Sequence, residues 1–302
     1  MTSLLLGLLG LTLSLVVPRP LAAARWPDRA PAAAIVLWQA ITLAAVLSAL
    51  GVVLAAPEEA VRAAHAGRPV AEATLVAALA VAAVIVIRLL VALAGVSYRA
   101  RVRRERHRTL IDLLDRAERR RELLSRPSDG RRAAGREMVR VLDGATPLAY
   151  CVPGRSPRVV VSDGALAVLD RHQVEAVLAH ESAHLRHRHD VVTESFTAFH
   201  VAVPRPLRSR APLDAVRMLL EMVADDAARR RTDPAALSAA LDRMGTAADA
   251  DERHRRLDRL ATDGRSAALS AMVIALSAAV LVLPTVILVV PWLREALELW
   301  PL

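Results

Sequence analysis

The sequence predicts a mainly α-helical integral membrane protein, with four transmembrane helices and an α+β domain between the third and the fourth. Three observations carry this expectation. Hydrophobic residues make up 54% of the 302 residues, more than a soluble chain ordinarily carries. Four apolar stretches stand out, Met1 to Val17, Pro31 to Ala56, Thr74 to Val96 and Ser266 to Leu293, and a bilayer crossing needs roughly 20 such residues. Between the last two lies a charged segment with both strand-like and helix-like runs. The expected organisation is three membrane helices with short loops over 1–98, a soluble domain over 99–265, and a fourth helix with a short tail over 266–302.

The first stretch, Met1 to Val17, is short for a span, and Ala22, Ala23 and Ala24 resemble a signal-peptide cleavage site. No basic residue precedes it and Arg19 and Arg25 follow it, a charge order that favours a retained span with its N-terminus outside. The arginine count in the loops sets the rest. Residues 18–30 carry Arg19, Arg25 and Arg29, whereas residues 57–73 balance Arg62 and Arg68 against Glu58, Glu59 and Glu72. The segment after the third span opens with Arg99, Arg101, Arg103, Arg104, Arg106 and Arg108. The first connection and the 99–265 domain are therefore expected in the cytoplasm of a multi-pass cell-membrane protein, with both termini outside. The arginine run reads as a topology-fixing flank in preference to a nucleic-acid or anionic-lipid patch. No DNA-binding motif accompanies it, and no direct nucleic acid binding is expected.

Arg88 lies inside the third span, where a charge either snorkels to the interface or pairs within the bundle. Pro284 should kink the fourth span, and Trp292 and Trp300 read as interface anchors. All 40 basic residues are arginine and the net charge is +9, which together with the alanine richness reads as coding bias. The single cysteine, Cys151, excludes an intrachain disulfide and a structural zinc site built on thiolates. Flanked by Ala149, Tyr150, Val152 and Pro153, it reads as a small hydrophobe on a strand.

Within the soluble segment, a charged amphipathic helix is expected to about Arg126, with a turn at Pro127 to Gly130. Two short strands follow, Leu148 to Val152 and Arg158 to Ser162, around the Pro153–Pro157 turn. Asp170 and Gln173 form a capping box at the start of a helix that runs to about His187. On that helix sits His180-Glu181-Ser182-Ala183-His184, an H-E-x-x-H pattern. Residues four apart share a helix face, so both imidazoles can converge on one zinc ion. Glu181, rotated away from that face, can reach a zinc-activated water as general base. A third ligand is needed, and Glu221 supplies it from a second helical run, with Asp225 one turn on to orient a ligand histidine. His187 and His189 read as a polar helix end or as a second metal site, and His172 as surface. His200 reads as a buried structural histidine or as an oxyanion stabiliser.

The stretch VLAHESAHLRHRHD, preceded by VVVSDGAL and followed by EMVADDAA, is similar to gluzincin membrane peptidases. The four-span layout with the metal domain between spans three and four resembles the BlaR/MecR family of antibiotic-response receptors. The HtpX and CAAX-protease family, which shares the E-x-x-A-D helix, is a second resemblance. Both imply a zincin-like metallopeptidase that binds Zn2+ through His180, His184 and Glu221, with Glu181 as catalytic base and Asp225 in support. The BlaR/MecR resemblance implies proteolysis of a cytoplasmic transcriptional repressor of the BlaI/MecI kind. The HtpX resemblance implies membrane-protein quality control, and a zinc-binding sensor without catalysis is the non-enzymatic alternative. The β-lactam receptors carry a penicillin-binding domain after the last span. Only nine residues follow Leu293 here, so sensing of β-lactams by that route is not expected. In this fold class an edge strand receives an extended peptide, and Arg158 to Ser162 is expected to be that strand.

Overall fold

The computed structural model describes residues 2–115, 138–205, 208–245, 250–262 and 266–299, with side chains through residue 291. The Pro127–Gly130 turn, Trp300 and the side chain of Trp292 lie outside the described residues. The chain divides into two compact units, one of Met1–Gly95, Ser195–Leu219 and Arg265–Leu302, the other of Val96–Glu194 and Leu220–Gly264.

The first unit is built on four helices long and apolar enough to cross a membrane. α1 (Thr2–Leu11) passes through one π-helical turn into α2 (Pro18–Ala23), and together they form the first candidate span. α3 (Pro31–His65), α4 (Pro69–Leu114) and α11 (Ala267–Leu299) supply the others. α3 is the hub: Ala33, Leu37, Ile41, Ala44 and Ala45 bury against Leu13 and against Val273 of α11. Small residues permit the approach, as lipid-embedded packing requires. A Cβ on Gly51 would stand 2.7 Å from Cδ1 of Leu6. α11 continues through Pro284 as helix.

Ser195–Leu219, expected from sequence within the soluble domain, groups with these helices. Phe196 packs edge-on against Trp38. The Nε of Arg88 donates to the carbonyl of Ala202 at 2.8 Å, and Arg208 donates to the carbonyls of Val201 and Val203. Residues 201–203 end a helix, where carbonyls lack intrahelical donors and attract cations. Arg88 is thus answered by a helix terminus, a partner that a search for acidic residues does not find.

The charged stretch after the third span is one helix with it. No glycine or proline separates Val96 from Leu114, and α4 runs unbroken between them.

The second unit is organised on a three-stranded sheet of β1 (Val139–Leu142), β2 (Ala149–Val152) and β3 (Arg158–Ser162). The order is β1-β3-β2, with β1 parallel and β2 antiparallel to β3. This corrects the edge-strand expectation for Arg158 to Ser162. β3 is the central strand, its backbone engaged on both sides, and its Val159, Val160 and Val161 are buried. β1 is the strand that takes the position where β3 would have been open. Among the described residues β2 is an edge strand.

Ser162 closes β3 and opens the next element. Its Oγ donates to Thr146 O, and accepts from Leu148 N and from Ala165 N as the cap of α5 (Asp163–Val168). α6 (Arg171–Arg186) begins with the expected reciprocal capping box of Asp170 and Gln173. Val174 and Val177 of α6 pack on Val161 and on Ala240 of α9 (Pro234–Met244). Ala176 packs with Ala228 of α8 (Ala211–Arg229), Leu237 of α9 and Leu260 of α10 (Ala250–Ala261). α6 is therefore wedged among the sheet and three helices, with one face left for chemistry.

Candidate metal centre

The periodicity of α6 places His180 and His184 one turn apart on its uncovered face. Their Nε2 atoms lie 3.1 Å from each other. Glu221 enters from α8, with Oε2 3.2 Å from Nε2 of His180 and Oε1 3.4 Å from Nε2 of His184. Donors about 2.0–2.1 Å from a tetrahedral zinc are separated by about 3.3 Å along each edge. The imidazole pair is close to that edge length, and each imidazole has one of the two Glu221 oxygens at a similar distance, so the triangle closes through the carboxylate group as a whole. Two imidazoles and a carboxylate are the donor set zinc takes in hydrolytic sites, and these residues could hold it.

Behind the triangle stands a second layer. Asp225, 1% exposed, faces Nδ1 of His180 with Oδ1 at 2.9 Å. Arg256 of α10 clamps Asp225 with both arms, and its Nη1 lies 3.1 Å from Oε2 of Glu221. The neighbouring Asp226 pairs with Arg259 one turn along α10 at 2.6 Å. Burial works against a charge on His180, but Asp225 and Glu221 outweigh it and hold its pKa at about 10. Burial likewise works against the charge on Glu221, and the two histidines keep its carboxyl well below the usual range. The two carboxylates thus favour positive charge at the His180 ring.

The site opens into a cleft of about 530 Å³. Glu181 lines it beside His180, His184 and Glu221, as do Ala149, Tyr150 and Cys151 of β2 and Leu241 and Met244 of α9. The Cys151 thiol meets the Glu181 carboxylate. Burial first, and then that carboxylate, push the thiol far above its ordinary pKa. Cys151 is thus a protonated thiol within the cleft, not a thiolate nucleophile.

The structure brings together His180, Glu181, His184, Glu221 and Asp225. It keeps His172 at the surface and His187 exposed at the cap of α6. His189 departs from the polar helix end. It is 5% exposed, the first residue of α7 (His189–Ala202), with its Nδ1 2.8 Å from Nδ1 of His184. Burial, and then the positive potential of His184 and His187, push its pKa down to about 3. His200 belongs to the first unit, its Nδ1 donating to the carbonyl of Ser209 at 2.9 Å. Arg256 was missed by motif reading because it sits in a run of similar residues, Arg253, Arg255, Arg256 and Arg259. One signal was available: Arg256 shares its helix face with Leu260, so a charge falls on the packed side.

An H-E-x-x-H helix face opposed by a glutamate from a second helix is the arrangement that zinc metallopeptidases use. Residues 114–223 match the family model described as Peptidase family M48, a segment that contains His180, Glu181, His184 and Glu221. The match supports a zinc-dependent metallopeptidase hydrolase within a chain whose four apolar helices fit a membrane protein. It does not separate the BlaR/MecR-like from the HtpX-like resemblance. No curated protein and no solved structure matches the chain.

Proposed function

We propose that the chain is a membrane-bound zinc-dependent endopeptidase that cuts a protein substrate on the cytoplasmic side. The observation that carries this reading is the convergence of three side chains: His180 Nε2 and His184 Nε2 lie 3.1 Å apart, and the Glu221 carboxylate faces both, Oε2 3.2 Å from the first and Oε1 3.4 Å from the second. His180, His184 and Glu221 are the ligands, and Asp225 orients His180. When bound, zinc lowers the pKa of a ligated water to about 7 and polarises the scissile carbonyl. Glu181, beside the ligands in the cleft, takes a proton from the attacking water and delivers it to the leaving amine. Arg256 holds the carboxylates of Asp225 and Glu221 in place.

The peptide lies along β2. Antiparallel pairing alternates between hydrogen-bonded and open positions. The amide of Ser162 bonds to Leu148 O, and the register pairs Ala149 with Val161 and Cys151 with Val159. The backbone groups of Ala149 and Cys151 therefore face the open edge, where an extended substrate can add as a strand. The arginine asymmetry of the loops supports the cytoplasmic orientation. The layout resemblance supports a transcriptional repressor of the BlaI/MecI kind as substrate, with regulatory proteolysis as the role.

The test is purification of the full chain in detergent, measurement of bound zinc, and a cleavage assay comparing wild type with Glu181→Ala. Stoichiometric zinc in both, with cleavage only in wild type, is the expected result. Equal cleavage by Glu181→Ala would remove Glu181 from the mechanism. A winged-helix repressor encoded next to this gene, cut in vitro by the wild type, would support the regulatory role. Cleavage of damaged membrane proteins alone would favour quality control.

A further inference from the structure

We propose that His189 is a positioning residue for the metal ligand His184, a neutral acceptor that fixes the tautomer and ring plane of that imidazole. The inference rests on the metal centre described above and adds a residue to it.

The argument starts from one contact. Nδ1 of His189 and Nδ1 of His184 are 2.8 Å apart, with the rings at 90° and their centroids 4.7 Å apart. Two ring nitrogens at that distance share one proton. With two protons the N–H groups would collide, and with none the lone pairs would repel. The Nε2 of His184 points at His180 and Glu221, so a ligand lone pair must sit on Nε2. A neutral imidazole then carries its proton on Nδ1. His184 is therefore the donor and His189 the acceptor, and His189 keeps its own proton on Nε2.

The backbone is arranged to deliver this contact. α6 ends at Arg186, and Arg188 adopts a φ of 52°, a left-handed conformation that a non-glycine residue rarely takes. That turn starts α7 at His189, directly against the helix it has just left. The first turn of α7 is then pinned by Arg104 of α4, which pairs with both Asp190 and Glu194. Local strain at Arg188, held by a salt-bridged helix start, is what an imposed side-chain position requires.

The two ligand histidines are consequently supported by different chemistry. His180 faces the carboxylate of Asp225 at 2.9 Å, while His184 leans on an uncharged imidazole. An orienting partner of this kind raises metal affinity by about 10- to 100-fold. A neutral one does so without adding negative charge beside Glu221.

The experiment measures Zn2+ affinity of the full chain in detergent by chelator competition. His189→Ala should bind zinc about 10- to 100-fold more weakly than wild type. His189→Asn, whose amide oxygen can accept the same proton, should recover most of the loss. In zinc-loaded wild type labelled with 15N-histidine, His189 should appear as a neutral ring protonated at Nε2. Affinity of a folded His189→Ala variant within twofold of wild type would overturn the proposal. So would an Nδ1-protonated or doubly protonated His189 in the wild type, a readout that needs no variant to fold. Failure of wild type itself to bind zinc would instead strike the metal-centre reading on which the proposal depends.

Discussion

Arg256 holds Asp225 through two hydrogen bonds, Nε to Oδ2 at 2.8 Å and Nη2 to Oδ1 at 2.7 Å, in a site where Asp225 is 1% exposed. A buried carboxylate stripped of such a partner costs about 3–5 kcal/mol. Arg256→Met should therefore lower the thermal unfolding midpoint strongly and release His180 and Glu221 from their supports. Arg256→Lys keeps the charge but loses the fork that matches a carboxylate, and should recover only part of the loss. Thermal scans in detergent with and without zinc test both variants. An Arg256→Met protein as stable as wild type would show that Asp225 is held by other means.

Glu221 contributes both a donor and a negative charge to the triangle. Glu221→Gln preserves size and one oxygen but removes the charge, and zinc prefers an ionised carboxylate. Bound zinc should fall well below one equivalent after dialysis against a chelator that leaves wild type loaded. Atomic absorption on the two dialysed proteins decides this. The same substitution should abolish cleavage, while Glu181→Gln should abolish cleavage and leave zinc unchanged.

Much of this site was legible in the sequence because its spacing is local. H-E-x-x-H on α6, the Glu221–Asp225 pair on α8 and the Asp170–Gln173 capping box each lie within one or two turns of a single helix, where period alone decides who shares a face. What was illegible depends on elements far apart in the chain. Arg256 meets Asp225 across 31 positions, and nothing local distinguishes it from Arg255. Strand order is non-local as well. β3 reads as a strong strand from its three valines, but whether it sits at the edge depends on β1, which falls between the expected Pro127–Gly130 turn and the Leu148 strand, where no element is expected from sequence. His189 was misjudged because a histidine after a helix end reads as solvated, and only the left-handed turn at Arg188 brings it back.

The thiol of Cys151 provides a pH test. Burial and the Glu181 carboxylate both disfavour the thiolate, so the folded pKa lies above the ordinary value of about 8.5. The reactive thiolate fraction of a free cysteine rises steeply between about pH 7 and 9. That of Cys151 should stay small over the same range. Iodoacetamide labelling followed by mass spectrometry should show slow modification of the folded protein at pH 8.5 and fast modification after denaturation. Glu181→Gln, which removes the neighbouring charge, should accelerate labelling. Labelling of the native protein as fast as free cysteine would place Cys151 in a different environment.

The open edge of β2 yields a test of substrate placement separate from the metal. The Ala149 N–H faces away from β3, so proline there removes a donor that the sheet does not use, and proline is tolerated at the first residue of an edge strand. Ala149→Pro should fold, bind zinc as wild type does, and keep Glu181 in place. An extended substrate that pairs with β2 would lose one backbone hydrogen bond, worth about 0.5–1.5 kcal/mol. The specificity constant kcat/KM should then fall roughly 2- to 10-fold, with the loss expressed mainly in KM because binding, not proton transfer, is what the bond serves. A variant with unchanged kcat/KM would move the peptide off this edge. A variant with unchanged KM but reduced kcat would mean that the strand positions Glu181 through Cys151 and not the substrate.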